Sequence, residues 1–162
     1  MDHAYGVYIH DLDGDGDQDI IAASTYDDKI TWLENNGAAD PTFAATTIAT
    51  SADGPRDVFV ADIDSDGDMD IVAASREDDT ISWYENNGAA DPSFTGNDIA
   101  TNADGARDVH VADMDNDGDL DIVSVSAFDD TVAWYENDGA ANPTFTAAVS
   151  YTHLTLPTKV TV

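Results

Sequence analysis

A unit of 51 residues recurs three times along this chain, each copy carrying the acidic nonapeptide Asp-x-Asp-x-Asp-Gly-Asp-x-Asp. The nonapeptide runs from Asp11 to Asp19, from Asp62 to Asp70 and from Asp113 to Asp121. Other positions keep the same interval: Trp32, Trp83 and Trp134, then Gly37, Gly88 and Gly139, then Pro41, Pro92 and Pro143, then Phe43, Phe94 and Phe145. Self-similarity at a period of about 50 residues marks a propeller, a solenoid or an array, in which each copy buries its apolar surface on the next.

The elements inside the unit decide among these. In the middle copy, Val58-Phe59-Val60-Ala61 is a short β-rich run that feeds the acidic loop. Ile71-Val72-Ala73-Ala74 follows as an unbroken apolar run, the pattern of a strand buried on both faces. Asp78-Asp79 makes a turn, and Thr80 to Tyr84 alternates, with Ile81 and Trp83 on one face and Ser82 and Tyr84 on the other. Asn87-Gly88 signals a hairpin turn, and Phe94 to Ala100 supplies a fourth strand after Asp91-Pro92. No segment has a helical period. Four antiparallel strands per unit make a propeller blade. The expected fold is all-β: three four-stranded antiparallel blades of an incomplete or open β-propeller, with blades at 1–51, 52–102 and 103–148.

Net charge is −29, from 34 acids against five Lys or Arg, a balance otherwise typical of disordered chains. The 42% apolar content and the periodic tryptophans point to a folded core instead. Nucleic acid is excluded as a partner, because phosphate binding needs basic clusters. No apolar run approaches the roughly 20 residues of a membrane-spanning helix, so membrane insertion is not expected. Cysteine is absent, which removes disulfides and thiol chemistry. Met1-Asp2-His3 opens straight into the repeat without the features of a signal peptide, so any export signal is expected to lie outside this sequence.

Oxygen ligands at alternate positions around a fixed glycine are what Ca²⁺ asks of a short loop. Side chains at positions 1, 3 and 5 offer oxygens: Asp11, Asp13 and Asp15; Asp62, Asp64 and Asp66; Asp113, Asp115 and Asp117. Position 7 (Asp17, Asp68, Asp119) is expected to give its backbone carbonyl and leave its side chain in solvent. Position 9 (Asp19, Asp70, Asp121) closes the shell. Gly16, Gly67 and Gly118 permit the sharp turn. An EF-hand needs a Glu at position 12, where Ala22, Ala73 and Ser124 stand. Mg²⁺ keeps more water than such a cage allows, and Zn²⁺ would want His or Cys. The expectation is up to three Ca²⁺, one per repeat; three ions would bring the net charge only from −29 to −23. Turn formation by Asp and Gly explains one such loop. It does not explain three that keep every odd-numbered Asp while position 8 varies as Gln18, Met69 and Leu120.

The segments Val60 to Val72 and Ile81 to Gly88, with their counterparts in the other copies, resemble the FG-GAP/VCBS-type repeats of bacterial secreted and surface proteins, relatives of the integrin α-subunit propeller. The resemblance covers residues 1–148. It implies a β-propeller with calcium in the loop joining the first two strands of each blade, an extracellular or cell-surface setting, and a scaffold, recognition or adhesion role.

Other residues add little chemistry. The tryptophans suit an inter-blade core better than sugar-stacking platforms. Arg56 and Arg107 are expected to pair with carboxylates, and the repeated Asp pairs at 27–28, 78–79 and 129–130 to make turns. His3, His10, His110 and His153 share no repeat position, and the serines lack a nucleophile context, so no catalytic set is expected. Carbohydrate binding, or service as an accessory module of a secreted polysaccharide-degrading enzyme, stays open as an alternative; the ligand would be a protein or glycan. In the third copy Ser150 replaces Ile48 and Ile99, so its outer strand is expected to be cut short, with 149–162 as a non-native tail. Propellers close with four to eight blades. Three therefore call for further blades of a longer protein or for self-association.

Overall fold

The computed structural model describes residues 2–151, and among them there are twelve strands and no helix. The first sheet holds β1 (Ala4–His10), β2 (Asp19–Ser24), β3 (Lys29–Asn35) and β4 (Phe43–Ala49). The second holds β5 (Pro55–Ala61), β6 (Asp70–Ser75), β7 (Thr80–Asn86) and β8 (Phe94–Ala100). The third holds β9 (Ala106–Ala112), β10 (Asp121–Ser126), β11 (Thr131–Asn137) and β12 (Phe145–Tyr151). Each is an antiparallel meander in chain order, and none closes on itself. One cross-strand pair recurs in all three sheets: Ile21 opposite Trp32, Val72 opposite Trp83, and Val123 opposite Trp134.

The sheets stack like blades, with first strands innermost and β5 between β1 and β9. Two apolar layers fill the seams. Ile21, Ala23, Ile30 and Trp32 of the first blade meet Val58, Val60, Ile71, Ala73 and Tyr84 of the second. Val72, Ala74, Ile81 and Trp83 on the other side of the second blade meet Val109, Val111, Ile122, Ala133 and Tyr135 of the third. All six residues of β6 are buried, because that blade has a neighbour on each face. This accounts for the missing alternation in its sequence. Trp32 and Trp83 are 2% exposed, which makes them core and removes them as stacking platforms.

One expectation holds and two need correction. The hairpin signalled by Asn87-Gly88 joins β7, which ends at Asn86, to β8, which begins at Phe94, through a loop wider than two residues. A type I′ turn needs positive φ at both central residues, and only Gly88 has it. Asn87 Oδ1 instead accepts from the amides of Ala89 and Ser93, which builds a wider loop. Arg56 places its guanidinium 4.2 Å from the Tyr5 ring centre, with its Nε buried and without a hydrogen-bond partner. A cation over an aromatic face across the first seam thus replaces the expected ion pair. Finally, β12 runs to Tyr151, as long as β4 and β8, because backbone pairing with β11 carries it past the lost apolar anchor. Residues 152–162 of the expected tail lie outside the described residues.

Polar bonds also cross the seams. Asp57 Oδ2 accepts from the Val109 amide at 3.1 Å. Burial pushes the Asp57 carboxyl above its ordinary value of 3.8; the Val109 bond opposes this and the Asp108 charge adds to it. A carboxyl raised in the folded state makes its ionised form a cost to stability at neutral pH. That cost fades as pH falls through the raised value and is gone below the unfolded one. Asp57→Asn keeps an acceptor oxygen and removes the charge. Its melting temperature relative to the parent is expected to be highest near about pH 7 and to fall toward about pH 4. A difference independent of pH in paired melts would refute this account.

Candidate metal centre

Each acidic nonapeptide lies between the first and second strands of its blade, so the three loops occupy equivalent places on one rim. Within them the structure brings together carboxylate oxygens of Asp11, Asp13 and Asp15, of Asp62, Asp64 and Asp66, and of Asp113, Asp115 and Asp121, each set within 4.8 Å. The loop's own amides hold these side chains. Gly16 donates to Asp11 Oδ2 at 2.9 Å and Gly67 to Asp62 Oδ2 at 3.1 Å, with Gly118 bonding Asp113 Oδ2 at 3.2 Å. Position 5 accepts from the amide of position 7 in every loop, at 2.8 Å for Asp15 and 2.9 Å for Asp66 and Asp117. Local side-chain-to-backbone turns of this kind fix the oxygens before any ion arrives.

The glycine at position 6 has φ of 98°, 100° and 101° in the three loops, and a Cβ there would meet nothing within 4 Å. Its requirement is conformational, not spatial. Gly37, Gly88 and Gly139 are required for room as well. Their Cβ would collide with Oδ2 of Asp17, Asp68 and Asp119. The position-7 side chain therefore packs against the following loop, contrary to the expectation that it faces solvent.

Position 9 is an internal anchor. Asp19, Asp70 and Asp121 are each 1% exposed. Asp70 Oδ2 accepts from Ile63 at 3.1 Å and its Oδ1 from Asn86 at 2.8 Å, tying the loop to the end of β7. Asp19 bonds Leu12 and Asn35, and Asp121 bonds Met114 and Asn137, in the same way. Burial pushes the Asp70 carboxyl up to about 7 despite those two bonds. The Trp83 indole pulls weakly in the opposite direction without meeting hydrogen-bond geometry. Only in the third loop does position 9 join the carboxylate group, in place of Asp117.

A set of residues that sequence reasoning left without a role links neighbouring loops. Asn86 Nδ2 donates to Met69 O at 3.0 Å and, across the seam, to Leu12 O at 3.4 Å. Asn137 Nδ2 repeats this with Leu120 O at 3.0 Å and Ile63 O at 3.1 Å. The signal was the recurrence of Asn35, Asn86 and Asn137 at the repeat interval. The loop of the first blade is thereby walled by the second, across a cleft of about 460 Å³ lined by Asp11, Asp13, Asp68, Asn86 and Gly88.

The donor set is hard oxygen throughout, and Asp11 Oδ1 is buried in its loop without a hydrogen-bond partner. Partial loss of water in the crowded loop raises the carboxyls of Asp13, Asp64 and Asp115, all at position 3. Neighbouring carboxylates of the same loops, Asp15, Asp66 and Asp117 foremost, push in the same direction. Carboxylates gathered this closely fit a cation.

Comparison with family models gives the FG-GAP-like repeat over residues 11–73 and again over 62–124. The chain belongs to the FG-GAP-like repeat family. Each match begins at one acidic loop and ends in the central strand after the next, so the FG-GAP-like unit spans a blade seam. No curated protein matches the chain.

Proposed function

We propose that this FG-GAP-like chain is a calcium-stabilised, non-catalytic propeller segment that acts outside the cell as a scaffold or recognition module. The observation that carries the reading is the threefold gathering of loop carboxylates at equivalent places, with a buried oxygen of Asp11 left without a partner. Asp11, Asp13 and Asp15 hold the ion in the first loop, Asp62, Asp64 and Asp66 in the second, and Asp113, Asp115 and Asp121 in the third. Asp17, Asp68 and Asp119 offer carbonyls, and Asp19 and Asp70 hold their loops in shape through the amides they accept. The ion supplies charge neutralisation and a cross-link between the two strands. It does no chemistry on a substrate. The three histidines among the described residues serve other ends: His10 Nδ1 lies 3.0 Å from Asp11 O, His3 stacks on Tyr26, and His110 meets Phe59 edge-on.

Extracellular calcium modules bind at about 10⁻⁴–10⁻³ M, which fills them outside the cell and empties them within it. The rim that carries the loops is the recognition surface for a protein or glycan. Isothermal titration of Ca²⁺ into EDTA-treated, dialysed protein tests the reading. Three ions per chain are expected, with Mg²⁺ failing to compete at equal concentration. Absence of saturable Ca²⁺ binding at millimolar concentration would sink it.

A further inference from the structure

We propose that Asn36 and Asn87 are sites of spontaneous deamidation, slowed by the asparagine that precedes each and tolerated by the loop once complete. Both are exposed, and each is followed by a glycine. The reaction needs no enzyme. The glycine amide nitrogen attacks the asparagine Cγ; an N–Cγ bond closes a cyclic imide as the Cγ–Nδ2 bond breaks and ammonia leaves. Water then opens the imide, giving aspartate, or isoaspartate where it adds at the main-chain carbonyl. Glycine favours the attack because no Cβ shields its nitrogen.

The third copy shows that the loop accepts the product. Asp138 stands where Asn36 and Asn87 stand in the other two. The three residues donate their amides to the carbonyls of Thr42, Ser93 and Thr144, at 3.2, 3.2 and 3.3 Å. Asn87 Oδ1 accepts from the amides of Ala89 and Ser93, and Asp138 Oδ1 accepts from those of Ala140 and Thr144 in the same way. The neighbouring hydroxyl adapts to what it faces. Asn36 Nδ2 donates to Thr42 Oγ1 at 2.8 Å, whereas Thr144 Oγ1 donates to Asp138 Oδ2 at 2.6 Å. A hydroxyl serves as acceptor or donor, so Thr42 can turn to meet a new carboxylate. The Thr144 bonds hold the Asp138 carboxyl below its ordinary value of 3.8, so this loop favours the charged product.

The reacting groups are held back from within. Gly37 N donates to Asn35 Oδ1 at 3.2 Å, and Gly88 N to Asn86 Oδ1 at 3.1 Å. The nitrogen that must attack is thus engaged by the residue before its target, while the target's own oxygen is tied to other amides. Asn86 is itself fixed: it is 3% exposed, its amide bonds Asp70, and its Nδ2 bonds Met69 O. Removing its side chain frees the nucleophile at Gly88.

Peptide mapping by mass spectrometry, after incubation of the whole chain at mildly alkaline pH, reads the conversion at each site. Both sites are expected to convert in urea, and to convert several-fold more slowly in the folded chain. Asn86→Ala is expected to speed conversion at Asn87 several-fold and to leave Asn36 at its parental rate, so each molecule carries its own control. Asn36→Asp and Asn87→Asp are expected to melt at or above the parental midpoint. Absence of conversion in urea overturns the proposal, as do equal rates in urea and in the folded chain. So does an unchanged Asn87 rate in folded Asn86→Ala, or a clear drop in midpoint for either aspartate variant. Should Asn86→Ala disturb folding, hydrogen exchange at the Gly88 amide of the parent decides: protection supports the guard, and exchange as fast as in an unfolded chain overturns it.

Discussion

Removing calcium is expected to lower the melting temperature by roughly 20 °C, read by circular dichroism or by the fluorescence of Trp32 and Trp83. The size follows from linkage. A ligand at a hundred times its dissociation constant stabilises the native state by about 2.7 kcal/mol per site, so three independent sites give about 8 kcal/mol. Whole domains have only about 5–15 kcal/mol of net stability. For a chain of this length each kcal/mol moves the midpoint by about 2–4 °C. The source of the loss is local, because each loop gathers five aspartates into nine residues. Without an ion their mutual repulsion opposes the fold. EDTA should therefore act on all three blades together, and added Ca²⁺ should restore the midpoint. A midpoint that stays put in EDTA would show that the loops' own hydrogen bonds suffice to hold them.

The blade itself was legible because a propeller repeats in sequence what it repeats in space. The fourth strand of the middle unit runs from Phe94 to Ala100 as read, and the doubly buried run at Ile71–Ala74 lies in a strand with neighbours on both faces. Placing Ile81 and Trp83 opposite Ser82 and Tyr84 also holds, since Trp83 joins one seam and Tyr84 the other. The acidic loop announced its oxygens but not their division of labour. A repeat shows that a position is fixed without showing what it touches. Asp68 reads as a solvent-facing residue until the fold brings Gly88 beneath it, 20 residues away. Asn137 reads as a strand end until its amide reaches Ile63 O, 74 residues back and on another blade. Arg56 reads as half of an ion pair because acids are everywhere in the sequence; Tyr5 reaches it first, across a seam that no local pattern encodes.

Asp70 offers the means to separate holding the loop from holding the ion. Its two oxygens accept from Ile63 and Asn86 in a site that is 1% exposed, so alanine there strands two buried amides. An unsatisfied buried group costs about 1–3 kcal/mol, and Asp70→Ala, which strands two, is therefore expected to cost about 2–6 kcal/mol. The lower end of that range is favoured, because burial already makes the charge of Asp70 costly, as a carboxyl pushed up to about 7 records. The loss should be nearly the same in Ca²⁺ and in EDTA, since the amides need their acceptor whether or not an ion is bound. Asp66 makes the contrast. It is exposed, and its side chain accepts one amide, that of Asp68, within its own loop. Asp66→Ala is expected to change stability little in EDTA and to remove about one third of the calcium-dependent gain. Urea denaturation of both variants, with and without Ca²⁺, reads the two effects side by side. If Asp70→Ala matched the parent in EDTA and differed only in Ca²⁺, position 9 would be a ligand and not an anchor. The bonds to Ile63 and Asn86 would then follow from the fold instead of sustaining it.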